Sequence, residues 1–211
     1  MNRIRMGIQS GSERLLEFYK RPTPIQRVRD ATVVLNNFAD YMIPPAYDII
    51  LENPIEDVED VHATLDLLYN MPRPYTLNVF ALRVIPNTIM ARDLERLGYE
   101  VPPIDQNYMI GYKPTVGNAL VFMLTFFKPP FFLYKFLRQR SYPVNQHQRK
   151  YPVAVEIFRI LYLIKRGIDH LRFMDFSLIP GGLGLFMWRI GAIRFWRRYV
   201  LKRTDALIEE M

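Results

Sequence analysis

Three times in the first hundred residues a short run of strand-forming residues gives way to a helical pattern, and this alternation limits the fold more than any other feature. The runs cover residues 3–9, 46–51 ("AYDIIL") and 76–85 ("TLNVFALRVI"). After the first, Ser12 has the chemistry of an N-cap, and Glu13 sits in the first turn, where the helix dipole favours a carboxylate. That helix is expected to end near Tyr19. A second starts near Thr23-Pro24, with Ile25, Val28, Ala31, Thr32 and Leu35 at helical spacing. "NPIEDVEDVHATLDLL" reads as a turn and a helix with acids crowded at its amino end, and a last helix covers about 89–97. Such crossovers produce a parallel sheet with ligands at the carboxyl ends of its strands. Three units alone leave a sheet edge unpaired and a core half covered, so we expect part of a larger α/β structure.

Composition changes near residue 98, giving an expected division into 1–97 and an all-α region, 98–211. The second region holds "NALVFMLTFFKPPFFLYKFLR", "VAVEIFRILYLIKRGIDHLR" and "LGLFMWRIGAIRFWRRYVLKR", without strand alternation. No clean run of about 18 apolar residues appears; the nearest, 119–137, is broken by Lys128, Pro129 and Pro130. In the last segment Phe186, Ile190, Ile193 and Tyr199 can share a face, while Arg189, Arg194, Arg197, Arg198, Lys202 and Arg203 crowd its end. Two readings stand: a helical cap over the substrate site, or a basic amphipathic surface on anionic lipid. The net charge of +7 suits an anionic partner, but no recognition motif for nucleic acid accompanies it. Residues 138–153 read as an exposed linker. The amino-terminal residues lack the apolar core of a signal peptide. With no cysteine, the chain has no disulfide and no thiolate metal site, which fits a cytoplasmic protein, peripheral to a membrane at most.

"RIRMGIQSGSERLLEFYKR", "YDIILENPIEDVEDVHATLDLL" and "PRPYTLNVFALRVIPNT" resemble, in order and spacing, the second half of radical S-adenosylmethionine enzymes, most closely the group that often carries a cobalamin-binding domain. The resemblance covers about residues 1–97. It implies a partial TIM-like barrel in which these segments are strands four to six with their helices.

Carried over position by position, Gln9 matches the residue that hydrogen-bonds the cofactor's ribose, its amide suiting a diol. Ser10 and Ser12 line the same turn. Arg21 matches an arginine facing the methionyl carboxylate. Asp48 matches a ribose-binding carboxylate, Ile50 a contact to adenine, and Phe80 a weaker candidate for the adenine wall. Plainer roles also fit: Gln9 and Ser10 as helix capping, Arg21 as a solvated helix end. Asp48 is harder to dismiss, because a carboxylate in an apolar strand needs a partner or a cleft.

The family's chemistry also needs a CxxxCxxC loop holding a [4Fe–4S] cluster. This chain has neither that loop nor strands one to three. The expectation is therefore a portion of such a protein, inactive alone, whose missing barrel half comes from the same gene product or a separate chain. The alternatives are a non-catalytic partner subunit and a peripheral membrane protein. His62, His147 and His170 are not spaced as a metal site requires and read as surface residues. The acids of "EDVED" read as helix-dipole partners.

Overall fold

Parallel strands form where the β-branched runs stand. β1 (Arg5–Gln9), β2 (Ala46–Leu51) and β3 (Thr76–Ala81) lie side by side in that order. They belong to a computed structural model that describes residues 3–38, 42–101, 115–141, 152–174 and 182–201. Between β1 and β2 run α1 (Glu13–Phe18) and α2 (Ile25–Asn37); α3 (Val58–Asn70) joins β2 to β3. After β3 come α4 (Ile89–Arg96), α5 (Val116–Phe126), α6 (Phe131–Arg138) and α7 (Pro152–Arg172). The short α8 (Leu183–Arg189) and α9 (Ala192–Phe195) follow, and α9 runs into a π-helical turn, Trp196–Val200. The chain is thus α/β with a small parallel sheet, compatible with a partial βα fold.

The expected strands and helices before residue 97 are present, with shorter ends at β1 and β3. Ser12 caps α1 as its chemistry implies, its hydroxyl accepting from the Leu15 N–H. Asp57 caps α3 and forms a reciprocal capping box with Asp60.

The helix after β3 is present where expected but packs little. α4 buries only Ala91 and Leu94, in a small cluster with Leu82 and Val84 that Ile50, Phe18 and Tyr19 join. The helix that packs into the main core after β3 is α5. It is buried from Gly117 to Thr125 and lies between α3 and α7. A helix apolar on every side can sit only where packing surrounds it. The Lys128-Pro129-Pro130 break separates it from α6.

One core cluster joins Ile8, Tyr47, Ile49 and Leu77 of the sheet to Leu65 and Leu68 of α3, Phe122 and Leu124 of α5 and Tyr162 of α7, so it draws on residues on both sides of position 97. Each such side chain contributes about 2 kcal/mol, more than an exposed ion pair's ~1 kcal/mol or less; apolar packing therefore dominates. Tyrosine hydroxyls orient it. Tyr75 donates to the Leu68 carbonyl at 2.9 Å, Tyr69 to Pro129 at 3.0 Å, and Tyr162 to Leu77 at 2.9 Å. The Thr76 N–H faces β2 through Pro45, so the Leu77 carbonyl points to the outer edge of β3, and Tyr162 occupies that edge.

The segment 183–203, in which Phe186, Ile190, Ile193 and Tyr199 are expected to share a face, is divided within its described part at Gly191, whose φ of 76° suits glycine. Ile193 is buried, whereas Phe186, Ile190 and Tyr199 are exposed. The linker expected over 138–153 lies mostly outside the described residues, as do His147, Lys202 and Arg203.

One buried carboxylate ties the first βα unit to the second. Asp60, whose side chain is 4 % exposed, accepts from the Ser12 hydroxyl, the Arg14 guanidinium and the Asp57 N–H. Gly11 completes the seam: a methyl there would press on the Ala63 carbonyl and lie 2.6 Å from Thr64 Cα. Burial opposes the ionisation of Asp60, but the hydrogen bonds from Arg14, Asp57 and Ser12 outweigh it, and its pKa lies below the usual value. Asp60→Ala should destabilise the fold by about 3 kcal/mol, because it strands Arg14 and Ser12, and the loss is read from urea denaturation. Since the folded-state pKa is depressed, the stabilisation from Asp60 is complete above the ordinary value of about 3.9 and is lost as pH falls below it. Asp60→Asn should flatten stability in that acid range when the melting temperature is followed against pH.

Candidate functional site

Alternation along the strands separates two faces. Tyr47, Ile49, Leu77 and Val79 belong to the core beneath the helices. Asp48, between them, pairs in register with Gly7 on one side and Asn78 on the other, and these residues share the opposite face. Among the described helices, α5 and α7 pack on the core side. α4 reaches only the carboxyl-end region around Ile50. A cap formed by α5 or α7 over the Asp48 face is therefore not what the structure has.

On that face the Arg5 Nε donates to both oxygens of Asp48, at 2.8 and 2.9 Å, and the Asn78 amide donates to Asp48 Oδ1 at 2.8 Å. The Arg5 side chain is 60 % exposed and that of Asp48 is 16 % exposed. The carboxylate in an apolar strand has thus found its partners. The hydrogen bond and then the charge of Asp48 raise the Arg5 pKa above its ordinary value. The guanidinium lies 5.8 Å from the centre of the exposed Phe80 ring, a cation–π distance.

Gln9 ends β1 at a register shift, with a φ of 72°, a conformation uncommon outside glycine. The turn brings its side chain back over Gly7. A methyl at Gly7 would run into the Gln9 amide and come within 3.2 Å of Arg21 Nη1. Gly7 is therefore the clearing in which Gln9 and Arg21 meet, beside Asp48. Arg21 is held by its own backbone, its N–H donating to Leu16 at 2.8 Å and its carbonyl accepting from Thr23 at 2.7 Å. Along β1 a cavity of about 420 Å³ is lined by Met6, Gly7, Ile8, Arg21, Arg27 and Val28, among others. It offers apolar walls and two guanidinium groups, the elements of a site for a ligand that is partly apolar and partly anionic.

The other residues singled out in the sequence go elsewhere. Ser10 is buried, its hydroxyl within 3.1 Å of the Thr64 hydroxyl and accepting from the Ser12 N–H. Ser12 donates to Asp60. Both hydroxyls are thus taken up by the seam with α3. Ile50 packs in the small cluster beneath α4. The structure brings the Gln9 and Arg21 side chains together at Gly7, sets Asp48 across from Gly7 in register, and places Phe80 beside Arg5. Arg5, Gly7 and Asn78 were not picked out by sequence reasoning. The signal was the period-two row Arg5, Gly7, Gln9 and its counterpart Thr76, Asn78, Phe80.

Among the described residues no group of three or more His, Cys, Asp or Glu is placed to hold a metal ion. His62 is half-buried rather than fully on the surface, with Nε2 2.9 Å from the Arg138 carbonyl. Burial, then the Arg138 charge, lowers its pKa, so it acts as a neutral link between α3 and α6. No protein-family model matches the chain, and no curated protein matches it.

Because the Arg5 side of the Asp48 pair is exposed, Arg5→Ala should cost no more than about 1 kcal/mol. Asp48 keeps Asn78, and the change clears the guanidinium from the open face. Chemical denaturation of this variant beside Asp60→Ala should show the smaller loss for Arg5.

Proposed function

We propose that the sheet and its polar face form the S-adenosylmethionine-holding half of a barrel like that of the radical S-adenosylmethionine enzymes, completed by strands from elsewhere. The observation that carries this reading is the meeting of Gln9 and Arg21 over Gly7, beside Asp48, on the face the described α5 and α7 leave clear. In it, Arg21 pairs with the methionyl carboxylate, where a planar fork suits two oxygens. Gln9 serves the ribose hydroxyls, which need both a donor and an acceptor. Phe80 supplies an apolar surface for adenine. Asp48 contributes through a carboxylate already oriented by Arg5 and Asn78.

The group fits in part. Gln9, Arg21 and the clearing at Gly7 suit a carboxylate-bearing nucleoside. Ser10, Ser12 and Ile50 are engaged in packing and take no part. A [4Fe–4S] cluster does not fit: the chain contains no cysteine, so the thiolates belong to the completing strands, and no radical step is assigned to these residues. No residue here is assigned to cobalamin. Within this reading the chain works as a portion of an enzyme or as a separate partner subunit. The outer edge of β1, which has no partner strand among the described residues, serves either.

Titration of S-adenosylmethionine into the chain, followed by saturation-transfer NMR, tests the reading. Saturable binding is expected, weakened about tenfold (~1.4 kcal/mol) by Arg21→Ala and by Gln9→Ala, and unchanged by Arg29→Ala on the far side of α2. Equal affinity in all four proteins removes the roles given to Gln9 and Arg21. No binding, alone or with a cysteine-bearing barrel half added, overturns the reading.

A further inference from the structure

α7 faces the wrong way for a helix at a water-exposed surface. It packs on α5 and β3 through Val155, Phe158 and Tyr162. On the side pointing away from the protein stand Val153, Ile157, Ile160, Ile164, Ile168 and Leu171, each at least half exposed. Their spacing of three and four residues makes a continuous stripe about 27 Å long at ~1.5 Å per residue. Lys165 and Asp169 pair with each other on the flank nearer the body.

A second group of exposed apolar residues is tied to the helix end. The Trp196 indole donates to the Arg172 carbonyl at 2.8 Å and so ties the last turn to α7. Around it Leu185, Phe186, Ile190, Phe195 and Tyr199 are exposed, with Arg189, Arg194 and Arg198 among them.

Charge says what covers this surface. Between residues 115 and 201 the sequence has fourteen Lys and Arg against three Asp and Glu, whereas residues 1–114 have twelve against fifteen. The apolar face thus belongs to the strongly cationic part of a chain whose other part is slightly acidic. A second copy would bring like charge against like. The stripe is also broader than a two-helix seam, because Leu161 and Leu163 flank it where charged residues would select a partner helix. An anionic lipid surface satisfies both the apolar face and the charge. We propose that the chain docks on anionic membrane surfaces, α7 lying in the plane of the interface with the hairpin of α8 and α9 beside it. Among the described residues no helix is long and apolar enough to cross a membrane.

Flotation of the full chain with vesicles of equal parts phosphatidylglycerol and phosphatidylcholine, and with vesicles of phosphatidylcholine alone, tests the proposal. The chain should float with the anionic vesicles only and be released by high salt. Its two tryptophans, Trp188 and Trp196, should shift their emission to the blue on binding. The double change Ile160→Glu with Ile164→Glu, at positions already exposed, should lower the bound fraction at least tenfold with an unchanged circular dichroism spectrum. Should that variant not fold, the salt dependence and the tryptophan shift of the unaltered chain decide. The proposal is overturned by failure to float with anionic vesicles, by equal binding to both vesicle types, or by a dimer in light scattering that the Glu changes dissociate.

Discussion

A carboxylate shut away from water in the first turn of α3 is the fixed point around which the first hundred residues are arranged. Asp60 takes hydrogen bonds from Ser12 and Arg14 of the preceding unit while closing the capping box of its own helix. A buried charge this well served is held in one geometry, since any shift strands a charge or a donor. That geometry sets where α1 leaves β1. With Gly11 seated on the α3 backbone, it obliges the chain to turn sharply after Gln9. The left-handed conformation of Gln9, and hence the return of its amide over Gly7, follow from how the two units are locked together.

The sheet then acts as a partition. Its core side is closed by apolar packing, with α5 enclosed between α3 and α7. Its other side carries a charged and amide-bearing row in which Arg5, Asp48 and Asn78 satisfy one another. The main apolar core lies on one side of the three strands and the polar row on the other, exposed at Arg5 and buried at Thr76 and Asn78. The pairing of Asp48 with Arg5 also leaves the arginine extended and exposed, where a ligand can displace it at small cost.

Much of this was legible in the sequence because it follows from local rules. Period-two runs gave the strands, and side-chain chemistry at Ser12 and in the acids before α3 gave the helix starts. What was not legible depends on which surfaces meet. α5 is apolar on every side, so it has no period to show which face packs, and its place in the main core emerges only with α3 and α7 around it. Ser10 and Ser12 have the chemistry of ligand contacts, but α3 takes their hydroxyls, from residues some fifty positions away. Arg5 and Asp48 become neighbours only through strand register. Gln9, Arg21 and Asp48 were singled out from the sequence; the approach of Gln9 to Arg21 rests on Gly7, whose missing side chain is an easily overlooked feature.

The two borders of the sheet are unlike. On β3 the Leu77 carbonyl is already taken by the Tyr162 hydroxyl, while β1 has no partner strand among the described residues. Among the described residues an added strand therefore meets a clear border at β1 and a partly occupied one at β3. A strand arriving at β1 uses the available border, and two copies meeting there would exhaust each other. At β3 an incoming strand would first have to displace the Tyr162 phenol from the Leu77 carbonyl.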